Sequence, residues 1–367
     1  AIALSGNVPV ITADTRATIG AAQINKMAGV ADARQSIIVA ATSDIYNMGI
    51  AGAAAIGGGV GAGAGVTVTV VENTTKATVA TGADMKAERD VNVTALSKAD
   101  FVSFSAAAAG GGSVALAGGV GVVSLTSTTT AQLGGKTVAG GNVEVLADDQ
   151  TRVASMAGSV SVGLGVAGVG GAISVLSIDK TTTAEILANA NVTALGKDGT
   201  LSGYTGADMN STTAVRGINI AATSGESNLT IAASAAGGLY AGISGVVTVQ
   251  MHDINTSAKI GANALINQDA SQPGAHADQD VVVTARDTSI SNVYAGGLAV
   301  GFVGLAGTID VGVIKTTTTA VIADGVNLTA KRNVRVNALS NKAGNSVIVA
   351  GAAGLVSIGA AIAIYDY

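Results

Sequence analysis

The chain contains no cysteine and no tryptophan, and only three phenylalanines, six tyrosines and two prolines among its 367 residues. Without cysteine it has neither disulfides nor thiolate metal sites. So few aromatic side chains are unusual for a globular core, and two prolines exclude a collagen-like fibre. Charged residues make up 12% of the chain, which is about half of the usual share.

Several classes of function find no support in this composition. The net charge is −5 and no basic block is present, so we predict no nucleic-acid partner. His252 and His276 are the only histidines, and "GISG" at 242–245 resembles a nucleophile elbow only superficially. The glycine-rich stretch at 56–65 lacks the Gly-Lys-Ser/Thr ending of a phosphate loop. We therefore predict no catalytic residues and no cofactor.

What the chain does have is glycine and small or β-branched apolar residues. Glycine accounts for 51 residues, and hydrophobic residues, mostly Ala, Val and Ile, for 48%. Side chains of this kind suit flat, closely packed sheets. This much apolar content also argues against intrinsic disorder.

A threonine-rich segment ending in alanine recurs six times. "SIDKTTTAEI" at 177–186 has counterparts at 72–79, 126–133, 253–260 and 315–322, with a looser copy at 14–19. The alanines that follow the threonines are spaced by 60, 54, 53, 74 and 62 residues. These anchors are Ala17, Ala77, Ala131, Ala184, Ala258 and Ala320. A fixed order of segments at this spacing is typical of a repeat architecture.

Two further segments follow each anchor in a constant order. The first alternates as V-x-V-x-A and lies at 37–41, 91–95, 143–147, 218–222, 281–285 and 334–338. The second is a Gly/Ala-rich run without Asp, Glu, Lys or Arg, at 45–71, 101–135, 153–178, 227–251, 288–309 and 343–365. The period-two alternation predicts strands, and the glycines predict corners between them.

These patterns predict an all-β parallel β-solenoid, a continuous array from 1 to 367. We expect it to be right-handed, as crossover connections usually are. Because 53 residues is long for one coil, we expect two or three coils in each repeat and a rod of roughly 60–90 Å. "AAIAIYDY" closes the chain where "AIALSG" opens it, so we expect a section of a larger protein.

The threonine clusters are interpreted as structural ladders. Threonine favours strands, and stacked threonines hydrogen-bond across a ladder. A threonine strand beside a valine strand would then give one wet and one dry face. The predicted ladder residues are Thr74, Thr75, Thr128, Thr129, Thr130, Thr181, Thr182, Thr183, Thr256, Thr317, Thr318 and Thr319. An ice-binding role fits poorly, because the repeat spacing is irregular.

Polar insertions at 196–217 and 267–280 interrupt the repeats and predict surface loops. The second contains a weak candidate for a Ca²⁺ site, although a solvated loop is the simpler reading and no calcium-binding repeat motif occurs. Its four residues are Asp269, His276, Asp278 and Asp280. The uncharged runs are long enough to span a bilayer, but their Gly, Ala and Ser content favours a buried sheet over membrane insertion.

A resemblance to a known family rests on "TTTAEI…NVTALG", "NVRVNALSNKAG" and "GVAGVGGAISVLSIDKTTTAEI". These segments resemble the repeats of large bacterial filamentous surface adhesins of the haemagglutinin and leukotoxin type, exported by two-partner or autotransporter routes. The resemblance covers nearly the whole chain and lies in composition, not in catalytic motifs. It implies a secreted or cell-surface β-helical shaft that holds a binding tip away from the cell or builds fibres in adhesion and biofilms.

Three functions remain open from the sequence. The first is a rigid shaft whose partners are identical chains, in head-to-tail or lateral contact. The second is an adhesin module that binds a host surface or glycan through the insertions 196–217 and 267–280. The third is a membrane-active toxin segment.

Overall fold

A computed structural model describes residues 1–26, 32–269 and 274–366, and these residues form strands, turns and no helix. The prediction of an all-β parallel β-solenoid is confirmed. In chain order the strands are β1 (Ile2–Asn7), β2 (Val10–Ile19), β3 (Gln23–Ile24), β4 (Ile37–Gly57), β5 (Val60–Val79), β6 (Asp84–Ala87), β7 (Val91–Gly111), β8 (Val114–Leu133), β9 (Lys136–Ala139), β10 (Val143–Gly163), β11 (Ala167–Ile186), β12 (Asn191–Ala194), β13 (Leu201–Tyr204), β14 (Thr212–Gly238), β15 (Ala241–Ile260), β16 (Leu265–Ile266), β17 (Gln279–Val300), β18 (Val303–Ile322), β19 (Asn327–Leu328), β20 (Val334–Ala353) and β21 (Val356–Asp366).

The strands form three parallel sheets. Sheet A contains the threonine clusters, in the order β1-β5-β8-β11-β15-β18-β21 with β2 also on β5. Sheet B is short, in the order β19-β16-β12-β9-β6-β3. Sheet C contains the V-x-V-x-A segments, in the order β20-β17-β14-β10-β7-β4. The chain therefore passes from sheet C through a glycine-rich corner to sheet A, then through sheet B to the next coil.

Each repeat forms one coil, so the expectation of two or three coils per repeat is wrong. The strands of sheets A and C are far longer than the usual strand of about 3–10 residues, with β10 spanning 21 residues and β11 spanning 20. Together they use most of a repeat. A 20-residue strand extends about 66 Å, whereas six coils rise only about 30 Å. The described chain is thus a broad slab, wider than its coil stack is tall.

The register between coils places equivalent residues directly above one another. The six anchor alanines form one unbroken column, from Ala17 paired with Ala77 through to Ala258 paired with Ala320. In sheet C the last residues of the V-x-V-x-A segments form a second alanine column, which includes Ala95, Ala147 and Ala222. The sequence repeats are therefore repeated positions in a ladder.

The interior is widest where sheet B closes the third side. Valine, isoleucine and leucine from all three sheets fill this end, as Val145, Ile186 and Val192 do in one coil, and all three are fully buried. Toward the opposite corner the interior residues become smaller, to Ala157 and Ala172 and then to glycine. The two long sheets therefore converge, which is why the fold needs few large side chains.

Close backbone approach at the narrow end requires glycine at specific positions. A Cβ on Gly168 would lie 2.2 Å from the carbonyl oxygen of Gly237, in the facing sheet. A Cβ on Gly61 would lie 2.1 Å from the carbonyl oxygen of Gly110. Such contacts are far shorter than van der Waals distance, so these glycines set the spacing between the sheets.

Asparagine and aspartate side chains link successive coils where sheet C strands begin. Asp90 Oδ1 accepts a hydrogen bond from the backbone N–H of Asn142 at 2.7 Å. The side chain of Asn142 in turn accepts one, through Oδ1, from the backbone N–H of Gly217 at 2.8 Å. Two coils further on, Asp280 Oδ1 accepts one from the Asn333 amide at 2.9 Å. These bonds satisfy strand-entry amides and hold the coils in register.

We expect Gly168→Ala to destabilise the fold by about 1–3 kcal/mol, because its methyl group overpacks the narrow end. Gly171→Ala in the same strand is the control, since its Cβ would lie 4.0 Å from the nearest atom. It should stabilise the chain by about 0.5 kcal/mol, because alanine loses less backbone entropy. Urea denaturation measures both changes. Equal midpoints for the two variants would contradict the assigned close approach.

Candidate functional site

The threonine clusters are divided between the two faces of sheet A. The middle threonine of each cluster faces the interior, and flanking threonines occupy the alternate positions on the outer face. The interior column contains Thr75, Thr129, Thr182, Thr256 and Thr318. The outer positions hold Thr74, Thr128, Thr130, Thr181, Thr183, Thr317 and Thr319. The threonines therefore stack in columns on both faces of one sheet. In the interior column the hydroxyls of Thr75, Thr182, Thr256 and Thr318 have no hydrogen-bond partner among the described residues, so that column is stacked without a hydroxyl hydrogen-bond ladder.

A polar band runs through the interior beside the buried threonine column. In the first coils it is neutral: Asn73 accepts a hydrogen bond from Ser43 at 3.0 Å and donates one to Ser97 at 2.8 Å. In the central coils the band becomes charged. Lys180 on β11 occupies the position in sheet A that Ser127 occupies in the coil before it.

Lys180 is paired with two carboxylates inside the solenoid. Its Nζ lies 3.0 Å from Asp149 Oδ1 and 2.6 Å from Glu226 Oε1, and all three side chains have 0% exposure. The backbone oxygen of Asp149 accepts a further bond from Nζ at 3.0 Å. A fully buried ammonium group needs such partners, since burial of an unpaired charge is very unfavourable.

Hydroxyl groups donate hydrogen bonds to one oxygen of each carboxylate, while Asp149 Oδ1 and Glu226 Oε2 accept none from the part of the chain that the structure describes. Ser127 Oγ and Thr129 Oγ1 donate to Asp149 Oδ2 at 2.7 and 2.8 Å. Ser224 Oγ donates to Glu226 Oε1 at 2.6 Å. Because every donor comes from a strand, the rigid ladders fix the position of each group. The cluster is a preorganised arrangement of one amine, two carboxylates and three hydroxyls.

A third carboxyl, Asp287, stacks next to Ser224 in sheet C and extends the cluster by one coil. Burial and the nearby charge of Glu226 together raise its pKa to about 7, although the positive charge of Lys180 opposes the shift. For Lys180, burial lowers the pKa but the attraction of Asp149 and Glu226 outweighs it, so the pKa is raised. The amine is therefore charged, and Asp287 is mostly protonated below about pH 7.

His252 lies beside this cluster and stays neutral. Its Nε2 is 3.3 Å from Asn228 Nδ2. Burial, together with the positive charge of Lys180, lowers the pKa of His252 to about 4. The fold places this histidine in the interior, in one column with Ile178 and Ile314.

Sequence reasoning did not single out Lys180, Asp149, Glu226 or Asp287. The alternation of the strands contains the signal. Lys180 occupies the same set of alternate positions in β11 as Ile178 and Ile186, which face inward. Asp149 likewise occupies the same alternate positions in β10 as Val143 and Val145. A charged residue in the buried phase of a strand indicates an interior partner.

The four weak metal candidates are not gathered around a common point. Asp280 pairs with Arg332 at 2.6 Å and with Arg335 at 3.3 Å, and Asp269 lies 3.5 Å from Lys136 Nζ. His276 Nδ1 accepts a hydrogen bond from the amide of Asp278 at 3.0 Å. Within the described ranges no group of three or more His, Asp or Glu residues is arranged to hold a metal ion. Residues 270–273 of this insertion lie outside the described residues.

Both insertions leave the solenoid at the corner between sheets B and C. In 196–217, β13 pairs antiparallel with the start of β14 as a hairpin. The hairpin is held against sheet C by Arg286, whose Nε donates to the Met209 carbonyl at 2.7 Å and whose guanidinium lies 5.6 Å from the Tyr204 ring centroid. Asn337 Nδ2 also donates to the Tyr204 carbonyl, at 3.2 Å.

An apolar groove crosses the coils on the outer face of sheet C. Its floor is a column of small residues that includes Gly52, Ala106, Gly158, Ala233 and Gly296. Its wall includes Val160 and Leu298, which are 51% and 50% exposed. On the other side of the floor, the same face carries a column of large residues: Ile50, Phe104, Met156, Ile231, Tyr294 and Val347. The groove lies within the uncharged half of the slab.

Among the residues that the structure describes, no helix is long and apolar enough to span a membrane.

We expect Lys180→Met to destabilise the chain by about 3–5 kcal/mol, because it leaves buried carboxylates without their counter-charge. Lys86→Met is the matched control. Lys86 lies 2.7 Å from Glu88, and the two side chains are 43% and 38% exposed, so its loss should change stability by about 1 kcal/mol or less. Chemical denaturation measures both. Similar losses for the two variants would refute the assigned role of the buried pair.

We expect stability to carry a pH signature from Asp287. Its folded-state pKa is about 7 against an ordinary 3.8, so the native chain holds an extra proton between these values. This contribution to the free energy of unfolding is full near pH 4 and is lost as the pH rises through about 7. His252 acts oppositely: with its pKa lowered to about 4, its contribution is lost as the pH falls from about 6.5.

The difference between wild type and Asp287→Asn isolates the first contribution, measured by denaturation from pH 4 to pH 8. That difference should shrink as the pH rises. The exposed Asp253→Asn is the control and should leave the pH profile unchanged. A flat difference between wild type and Asp287→Asn would refute the shifted carboxyl.

No protein-family model, curated protein or solved structure matches this chain.

Proposed function

We propose that this chain is a structural protein, a β-solenoid section of an extracellular bacterial filament or adhesin shaft that associates laterally with identical chains. The observation that carries the proposal is the uninterrupted ladder between coils. For example, β10 pairs with β14 over 21 residues and β11 pairs with β15 over 20. Backbone ladders of this length resist separation of the coils without any large side chains.

The outer groove supports lateral association. The uncharged half of sheet C measures roughly 30 Å along the strands and roughly 30 Å across the coils, a face of about 900 Å². A stable interface buries about 800 Å² on each partner. The face is therefore large enough to pair two chains. Phe104 and Tyr294 are exposed on this face, and aromatic residues are enriched in protein interfaces.

The proposal also draws on the resemblance of the repeats to bacterial filamentous adhesins. Slabs paired through their sheet C faces would form a thicker shaft than one solenoid alone. Exposed charged residues such as Lys98 and Lys259 lie outside the uncharged runs and would remain in solvent. This division gives the chain an apolar side for assembly and a charged side for solubility.

Lateral association is tested by sedimentation over a range of concentrations, with electron microscopy of the same samples. We expect concentration-dependent assemblies with a repeat of about 4.8 Å along the solenoid axis. The paired change Val160→Glu and Leu298→Glu should abolish them, because it places charge on the groove wall. Thr181→Glu and Thr317→Glu add the same charge to the outer face of sheet A and should leave assembly intact.

Single particles at every concentration would overturn lateral pairing. Liposome leakage by the wild-type chain without assemblies would instead favour a membrane-active segment. The observation behind that alternative is a row of exposed apolar side chains at the glycine-rich corner, formed by Leu164, Leu239, Tyr240, Phe302 and Leu355.

A second candidate is an adhesin module that binds a host surface or glycan through the two insertions. Their position at one corner favours it, since adjacent loops on a rigid scaffold are a common binding surface. The hairpin of 196–217 presents its turn near Asp208, whose carboxylate accepts bonds from Asn210 and Ser211. Loss of surface adhesion after removal of both insertions, with the slab intact, would support this function over a passive shaft.

A further inference from the structure

The buried pair of Lys180 and Asp149 has the composition and geometry of an amide-forming site. A primary amine and a carboxyl group are the two reactants of amide condensation. Here Nζ and Oδ1 lie 3.0 Å apart, and both side chains are completely enclosed. Positioning of reactants at this distance replaces a slow bimolecular encounter by an intramolecular one. Exclusion of water also protects the product from hydrolysis.

The second carboxyl oxygen of Asp149 is held as an oxyanion would be. Oδ2 accepts hydrogen bonds from Ser127 Oγ at 2.7 Å and Thr129 Oγ1 at 2.8 Å. Addition of an amine to a carboxyl carbon moves negative charge onto one oxygen. Two fixed donors on Oδ2 stabilise that charge and leave Oδ1, on the amine side, as the oxygen that departs.

Glu226 is placed to move the protons. Its Oε1 lies 2.6 Å from Lys180 Nζ, within the distance required of a general base. Glu226 is itself held by Ser224 at 2.6 Å. Asp287 beside it has a pKa of about 7 because of burial and the charge of Glu226, so a carboxyl that exchanges its proton near neutral pH lies close to this base.

We propose that Lys180 and Asp149 condense to an intramolecular amide bond, with Glu226 as the proton carrier. Glu226 takes one proton from the Lys180 ammonium group. The resulting amine attacks Cγ of Asp149, and a C–N bond forms as negative charge develops on Oδ2. A second proton leaves the nitrogen, and Oδ1 departs with both protons as water when its C–O bond breaks. The charges of the ammonium and the carboxylate cancel, so no oxidant, metal or activating group is needed.

The bond would join the two long sheets within one coil. Asp149 lies on β10 and Lys180 on β11, which follow each other through the glycine-rich corner, and the two positions are 31 residues apart. The covalent loop would prevent the narrow end of the slab from opening and would hold the central coil closed under load. This site is independent of the outer groove, so its test does not depend on lateral assembly.

The test is the intact mass of the purified full chain under denaturing conditions. We expect a mass lower than that of the sequence by about 18 Da, the mass of one water. Trypsin should then fail to cleave after Lys180. The product is residues 137–152 joined to residues 153–197 by an amide, and tandem mass spectrometry identifies the joined pair. An unmodified mass in the wild-type chain overturns the proposal.

Two variants separate this bond from other ways of losing water. Glu226→Gln keeps the size of the side chain but removes the proton acceptor, so we expect the full, unlinked mass. Glu185→Gln changes the carboxylate that pairs with the surface residue Lys259 and should leave the link intact. A loss of water that maps to Asp149 alone, as a succinimide, overturns the proposal. So does a link that forms equally well in Glu226→Gln.

Circular dichroism confirms that the variants are folded. Should Glu226→Gln fail to fold, the wild-type mass and the joined peptide decide the question without it.

Discussion

The parallel, in-register ladder between coils is the interaction on which the rest of the structure depends. Side chains alternate between the faces of a strand, so a slip of one residue would exchange the interior and exterior sets. Over 20 or 21 paired residues in each long sheet, such a slip would bring Asp and Thr from the outer faces into the core. The ladder therefore makes the interior composition of each coil depend on that of its neighbours, which is why the repeats share anchors such as Ala131 and Ala184.

The convergence of the two long sheets accounts for the composition. Three sheets enclose the wide end and accept Val, Ile and Leu, whereas at the narrow end two backbones approach so closely that Gly168 leaves no room for a Cβ. Such an interior is filled by many small side chains instead of a few aromatic ones. The uncharged, glycine-rich runs supply both the inward-facing and the outward-facing residues of the narrow end. Both outer faces of the slab are therefore uncharged in that half.

The interior charge cluster shows how the ladder between coils fixes the positions of charged side chains. Lys180, Asp149 and Glu226 come from three strands in two sheets, and each is held in one position by its place in a column. Desolvation alone would make such a group unfavourable, and mutual pairing offsets that penalty. A buried ammonium and carboxylate that must stay in contact serve as a register lock, and the same contact is the starting geometry for an amide bond.

The all-β class, the parallel stacking and the repeat units can be predicted from the sequence, because period-two alternation and anchors such as Ala77 are local, repeated signals. The alternation also indicates that Lys180 lies on the interior face of its strand. That one repeat makes one coil follows from the tertiary structure, since strand length depends on how far the two sheets stay paired. The tertiary structure alone brought Lys180 beside Asp149 and Glu226, residues 31 and 46 positions away, because that meeting depends on the facing of two sheets across the core. It also separated the candidate ligands of the second insertion, where Asp280 is paired with arginines from the following coil.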